Sequence, residues 1–465
     1  MNRNKLALEK LKQKNSKKII IWGATISKST GNSKLIHHMC KAFQSAGHQV
    51  FTIGMDYNRM QIWWDNIPIM PSFKCEKCSN FDITKIAEYI EKIRPDFFIC
   101  VGDPYTFQQY GIGRLNFDNI RTKALAYCTV DSDGYFTNNE LTREGYLDYL
   151  PNCDNIISTA EFTKEQLKKW MDLDSEMIYE TIDMSNYHPV KKEKRDLLRK
   201  KYRFKENDFV IYGMGRNLMR KRNNILLDAC AKFLCETENT YLYLNIPADK
   251  WKDDMPVFPD RINPYDFVKR VLKKKYGRDL IEEKRVIFIR RAGLGSTQIS
   301  EQENAELYQI SDLFVSTSSG EGFGLGGVES QNCGVPVILP DNSTSREIIG
   351  ASKDNNKLGS YTTEQPFLFG EGGIITETPI DLWTDYGLKQ RITTPEATYD
   401  AISYLYNNPE IRVQMGLNGL KYVKSTFNYD IFREKWLKVI NTTEKKNQFK
   451  EMDIKPSKIK PEKVK

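Results

Sequence analysis

Long apolar runs are missing from this 465-residue chain. No stretch of 18 apolar residues occurs, so no membrane-crossing helix is expected. The first residues carry neither the apolar core nor the small-residue cleavage site of a secretory signal, and the expectation is a cytoplasmic protein. Histidine is scarce, with only His37, His38, His48 and His188. The closest cysteine pair, Cys75 and Cys78 in KCEKC, has no second pair or histidine cluster beside it, which argues against a zinc site. The nine cysteines are an odd number, and settings such as FFIC at Cys100 and AYC at Cys128 suit buried free thiols better than a disulfide framework. No internal repeat is present.

What is present is an ordinary globular composition, 40% apolar and 12% aromatic, in a chain long enough for two or three domains. The net charge of +8 sits in the ends. Residues 1–18 hold seven Lys or Arg against one Glu, and residues 441–465 hold eight Lys against four acids, which leaves the body near −2. A basic nucleic-acid face through the folded part is therefore not expected, and the tails read as solvated ends; a weak peripheral contact with a membrane through them stays open.

Apolar runs bounded by turns alternate with helical periodicity. KIIIWG (18–23), QVFTIG (49–54), DFFICVG (96–102), ALAYCTV (124–130) and NIIST (155–159) read as buried parallel strands, with helices near 33–46, 83–93 and 161–170. A second series begins after residue 207 with DFVIYGMG, followed by TYLYLNI, RVIFIR, DLFVSTS, PVILP and GGIIT. The class is α/β, with two Rossmann-like domains facing across a cleft. Open sheets of this kind bind ligands beyond the carboxyl ends of their strands, so two facing ones suit a two-substrate enzyme.

The first βα turn, GATISKST, imitates a phosphate-binding P-loop, but Lys28 stands where the second glycine is required. A glycine-bearing turn remains, with Thr30 and Gly31 opening a helix whose amide groups can meet an anionic or hydroxyl-rich ligand. The decisive stretch is SSGEGFGLGGVES, residues 318–330. Its glycines at 320, 322, 324, 326 and 327 let a diphosphate approach the backbone, and a helix opening near Leu325 offers its positive dipole end. Gly322, Phe323, Gly324 and Leu325 are accordingly read as donor-binding. Glu321 and Glu329 would repel phosphate but accept hydroxyl hydrogen bonds, which fits a nucleotide sugar: Glu329 on the ribose and Glu321 on the transferred sugar. In GMGRNLMRKRNN, Arg216 and Lys221 are the choice for cations on the diphosphate, with Arg220 and Arg222 as substitutes.

These residues resemble the retaining glycosyltransferases of family 4, which have the GT-B fold. STGNSKLIHHMCKAFQSAGHQVFTIG resembles the first helix and its flanking strands, GRNLMRK the phosphate clamp, and ENAELYQISDLFVSTSSGEGFGLGGVES the core with the E-x7-E pattern from Glu321 to Glu329. TIDMSNYHP looks like the interdomain connection and NNPEIRVQMGLNGLKYVKSTFNYDIF like the C-terminal helices. The resemblance implies sugar transfer from a nucleotide donor with retained anomeric configuration, no required metal or other cofactor, and a last helix that crosses back. It divides the chain into a basic segment (1–17), an acceptor domain (18–188), a linker (189–206), a nucleotide-sugar domain (207–426), a returning helix (427–443) and a Lys-rich disordered tail (444–465).

One departure stands out. Many members carry a histidine in the first domain near the reacting sugar, whereas after ALAYCTV this chain reads Asp131-Ser132-Asp133-Gly134. Asp131 resembles the acidic residue of a subset of relatives and is assigned to the acceptor hydroxyl; a turn-capping role is its alternative. DSDG also imitates a manganese-binding D-x-D motif, but that motif belongs to a different glycosyltransferase fold. Asp103 in VGDPY, ending a strand, is a further acceptor candidate or merely a turn opener. Trp63 and Trp64 in QIWWDNIP read as a loop that stacks on sugar or packs in the core or at a membrane edge. Thr344 to Glu347 are expected to begin a helix facing the donor. Two other readings remain: another GT-B reaction on a nucleotide sugar, of epimerase or phosphorylase type, and a non-catalytic sugar-nucleotide-binding subunit. The acceptor, whether glycan, lipid, protein or small molecule, is not legible.

Overall fold

The computed structural model describes residues 16–446 except 28–29, 56, 58–59, 73–82, 116, 118–120, 134–148, 247–262, 290–298 and 385–387. The Cys75–Cys78 pair, Lys28, Gly134 and most of both basic tails therefore lie outside the described residues.

The first half contains β1 (Lys18–Gly23), α1 (Gly31–Ser45), β2 (Gln49–Gly54), β3 (Ile62–Trp64), β4 (Ile67–Pro71), α2 (Ile83–Ile93), β5 (Phe97–Gly102), α3 (Pro104–Gln109), β6 (Lys123–Cys128), β7 (Asn155–Ser158), α4 (Glu161–Met171) and β8 (Glu176–Met177). They build one sheet in the order β3-β4-β2-β1-β5-β6-β7-β8, parallel except at the β3–β4 edge. Ile19, Ile20, Ile21 and Trp22 of β1 are all fully buried because layers cover both faces of the sheet, which is why the strand reads as an unbroken apolar run. The edge hairpin was not expected. Its turn, Asp65–Asn66, has positive φ at both positions, the conformation that twists two strands into register and that Asp and Asn tolerate. It places Trp63 and Trp64 on an exposed edge strand, not in a loop or the core.

The second half contains α5 (Lys192–Lys201), β9 (Phe209–Met214), α6 (Asn223–Glu236), β10 (Thr240–Asn245), β11 (Val286–Phe288), α7 (Glu301–Ile310), β12 (Leu313–Val315), α8 (Leu325–Asn332), β13 (Val337–Pro340), α9 (Ser345–Ile348), β14 (Phe367–Phe369) and β15 (Gly373–Thr376). There follow a separate hairpin, β16 (Ile380–Trp383) and β17 (Lys389–Ile392), and then α10 (Pro395–Asn407), α11 (Pro409–Thr426) and α12 (Tyr429–Thr442). The sheet order is β11-β10-β9-β12-β13-β15-β14, with only β14 antiparallel. In α5 the charged run behind Pro189 is docked on this half. Arg195 and Arg199 hold Asp312 at 2.8 and 2.7 Å, and the buried Arg199 also donates to the Ile310 carbonyl.

The chain crosses between the halves twice, and the crossings touch where Thr181 Oγ1 donates to the Phe427 carbonyl at 2.8 Å. Beyond that point α12 returns to the first half. Phe432, Trp436, Val439 and Ile440, spaced along one helical face, are buried with Phe43 and Tyr127 in its core. Trp436 meets the Tyr127 and Phe43 rings edge-on at 5.0 and 5.7 Å. Each such buried side chain contributes about 1.5–3 kcal/mol, enough together to fix the last helix there.

Candidate active site

Every element of the site leaves the carboxyl end of a strand. The loops after β1 and β6 face those after β9, β12 and β13; β1 in the first sheet and β9 and β12 in the second flank the points where strand order reverses, the crevice that parallel sheets offer to ligands. The glycine loop needs its glycines for two reasons. Gly324, at φ +100°, caps α8 in a backbone region that other residues enter only with strain. Gly320 and Gly322 lie against the opposite half: a Cβ on the first would overlap the Asp131 carbonyl oxygen, and one on the second would overlap Thr129 Oγ1. The two halves touch here without room for a methyl group. A strand-like bridge reinforces the contact, with the Lys389 amide donating to the Asp133 carbonyl at 2.7 Å.

Around this seam lies a four-residue charge cluster. Glu321 is paired with Lys221 and, at 3.2 Å, with Arg220 Nη1. Arg220 Nε reaches Asp131 of the first half at 3.1 Å, and its Nη1 donates to the Gly320 carbonyl. Burial alone would raise the Glu321 carboxyl, but the Lys221 and Arg220 charges outweigh it and bring it down to about 2. Burial likewise lowers the Lys221 ammonium, against the pull of Glu321. Arg216 stands apart, exposed and without an ion pair among the described residues. The sequence ranked Arg220 below Arg216; the fold brings Arg220, not Arg216, to the two carboxylates.

Glu329 lies deeper, 2% exposed. Its Oε1 is 2.7 Å from Lys34 Nζ of α1, and its Oε2 accepts from Asn304 Nδ2 and Tyr308 Oη, each at 3.2 Å. Lys34 also reaches Glu301 at 3.0 Å, and Tyr187 Oη donates to the same Glu301 at 2.7 Å. Burial works against the Lys34 charge, but the two glutamates outweigh it and its ammonium is raised. Glu301, Asn304 and Tyr308 share one face of α7, a spacing visible in EQENAELYQI (301–310), but nothing in the sequence pointed to Lys34.

The remaining candidates divide. Thr30 caps α1 through the Ser33 amide, and a Cβ on Gly31 would sit 3.3 Å from Leu325 Cδ1, so the two helix starts meet across the cleft. Phe323 is buried against Tyr179 and Phe427 and presents only backbone to the site, its carbonyl accepting from Thr344 Oγ1 at 2.6 Å. Asp103 caps α3, accepting from the Thr106 amide and hydroxyl at 2.8 Å each. Asp133 is held by Lys169 and Trp170 Nε1. Among the described residues no group of three or more His, Cys, Asp or Glu could hold a metal ion. α9 forms as expected, but its Glu347 reaches the other half and accepts from the Glu161 and Phe162 amides at the start of α4, at 2.9 and 2.8 Å.

Residues 296–360, which hold α7, the glycine loop and both glutamates, match the family Glycosyl transferases group 1. The alpha-monoglucosyldiacylglycerol synthase of Streptococcus pneumoniae is 22% identical over 340 residues, 69% of this chain and 70% of that protein. The chain is a glycosyltransferase of GT-B fold. Solved structures carry the fold assignment over nearly the whole length. Sucrose-phosphate synthase from Thermosynechococcus elongatus superposes with a TM-score of 0.67 at 15% identity, covering 91% of this chain and 98% of that one. Anabaena HepE in complex with UDP-glucose superposes with a TM-score of 0.61 at 14% identity, covering 91% and 99%. Among the described residues of this glycosyltransferase, no helix is long and apolar enough to cross a membrane.

Proposed function

We propose that the enzyme transfers a hexose from a nucleotide diphosphate sugar to an acceptor hydroxyl, with retention and without a metal. The observation that carries this reading is the convergence of Arg220, Lys221, Glu321 and the amide-rich start of α8 at a seam whose far side is Asp131. Amide groups and cations aimed at one place suit the charge that develops on a departing diphosphate. Lys221 and Arg216 take the phosphates, with Arg220 sharing that role once a donor displaces it from Glu321. Gly322, Gly324 and Leu325 bring the backbone close, Phe323 offers its main chain, and Glu321 holds the transferred sugar. Glu329 receives the ribose hydroxyls.

Asp131, on the first half, faces the acceptor and accepts its proton or hydrogen bond, and Thr30 and Gly31 complete the cleft at the donor's phosphates. Asp103 lies on the acceptor side through the helix it caps. A UDP-hexose is the first donor to try, because HepE is bound to UDP-glucose in its structure. The exposed Met60, Trp63 and Trp64 on the first half add to the basic tails as a peripheral membrane contact, which would serve a lipid acceptor.

The test is a panel of UDP, GDP and ADP sugars, followed by release of the nucleoside diphosphate in excess EDTA. Breakdown of one donor without metal is expected, and loss of activity restored only by Mn²⁺ overturns the metal-free part. Asp131→Asn should lower kcat by about 10²-fold or more with donor KM little changed. Proton NMR of the product anomer tests retention, and an inverted product refutes it.

A further inference from the structure

The Glu329 carboxylate is the most deeply buried charge of the candidate donor site, and it is neutralised from the other half of the molecule. Its positive partner, Lys34, lies 295 residues earlier in the chain, in the first turn of α1, and bonds Glu329 at 2.7 Å and Glu301 at 3.0 Å. Both acids belong to the second half, so any opening of the cleft must break both bonds. A carboxylate 2% exposed cannot recover those interactions from water, and removing one partner from a buried pair leaves an uncompensated charge.

The other groups facing this carboxylate are uncharged. Asn304 and Tyr308 donate to it from α7, Tyr187 stands beside Lys34, and Tyr212 and Cys333 lie within its field. Tyr187, Tyr212, Tyr308 and Cys333 all have their protons held more tightly, mainly by burial. His38, one turn along from Lys34, has its imidazole lowered to about 4, chiefly by burial, and supplies no charge at neutral pH. Lys34 is thus the one cation on Glu329 among the described residues.

We infer that Lys34 is a positioning residue for donor recognition. By holding Oε1 of Glu329 from the first half, it fixes the carboxylate plane in which the ribose hydroxyls are read, and makes that reading depend on the halves being closed. Oε2 already accepts from two neutral donors at 3.2 Å, so the acceptor site left for a ribose hydroxyl is on Oε1, beside Lys34. The inference rests on the assignment of Glu329 to the ribose.

The experiment measures inhibition by UDP and by 2′-deoxy- and 3′-deoxy-UDP against hydrolysis of the active donor; the GDP or ADP pairs serve if the donor carries that base. The native enzyme should prefer the ribonucleotide by about tenfold or more, as expected for hydrogen bonds to a charged group. Lys34→Met should abolish most of that preference and raise donor KM about tenfold with kcat changed less than about threefold, while Lys34→Arg should retain part of it. Combined with Glu329→Gln, Lys34→Met should add little further loss, because the two act as one unit. If Glu329→Gln loses the preference and Lys34→Met keeps it, the role of Lys34 is refuted and the ribose assignment stands. If both keep it, the ribose assignment fails and the inference falls with it. Should Lys34→Met not fold, Lys34→Gln is read in the same way.

Discussion

Substituting Gly320 by alanine is the sharpest probe of the seam between the halves. Gly320 does not have a positive φ, so its backbone accepts alanine and the only obstacle is space. The added Cβ would overlap the Asp131 carbonyl oxygen and lie 3.1 Å from its carbon and 3.3 Å from Ser132 Oγ. The obstructing atom is backbone, so no side-chain rotation relieves it. Ordinary carbon–oxygen approach is about 3.3–3.6 Å, so the β6 loop and the glycine loop must separate by roughly 1 Å or more. That separation moves Asp131 away from Arg220 and Glu321, and a misplacement of about 1 Å can cost about 10²-fold in rate.

The expected outcome is a fall in kcat/KM of about that size, measured by transfer or donor hydrolysis, with a melting temperature within a few degrees of native because each half keeps its own core. Gly322→Ala should behave similarly through Thr129 Oγ1. Thr129→Ala in the same chain should restore most of the loss, since the remaining Thr129 Cβ, at 3.3 Å, need give by only a few tenths of an ångström. Native kcat/KM in Gly320→Ala would refute the closed seam as the working state.

Two further outcomes follow from buried carboxylates. Glu347→Ala removes the cap that the second half places on α4 and leaves two amides unpaired, so unfolding in urea should show a loss of about 1–3 kcal/mol; an unchanged midpoint refutes the cap. Glu180, 4% exposed beside the Thr181 crossing, has no hydrogen-bond partner among the described residues, and burial raises its carboxyl to about 8. A folded-state value above the unfolded one means that its neutral form stabilises the fold below about pH 4.5, and that this contribution is lost as pH rises through 8. Glu180→Gln should therefore melt higher than the native chain at pH 9 and near equally at pH 4; a constant difference across that range contradicts the assignment.

The alternation of apolar runs and helical periods was sufficient for β1, β2, β5, β6 and β7 of the first sheet and β9 to β13 and β15 of the second, because a strand buried on two faces must be apolar at every position. β1 and β2 match KIIIWG and QVFTIG residue for residue, and α2 matches the span 83–93. The start of α8 at Leu325 and its stop before Gly334, at φ +78°, followed from glycine chemistry that is local to the chain. The β3–β4 hairpin was hidden because its exposed edge carries tryptophans instead of polar residues, and because Asp-Asn is a weaker turn signal than Asn-Gly.

By itself the sequence determined most strands of the two parallel sheets and the glycine loop with its two glutamates, since each depends on neighbours within a few residues. Only the tertiary structure decided what those acids touch. Lys34 finds Glu329, Arg220 finds Asp131, and Glu347 finds the start of α4 because the two sheets close on one another. Partners separated by about 90 to 300 positions leave no periodicity in the chain, and in the fold they are set by which loop faces which.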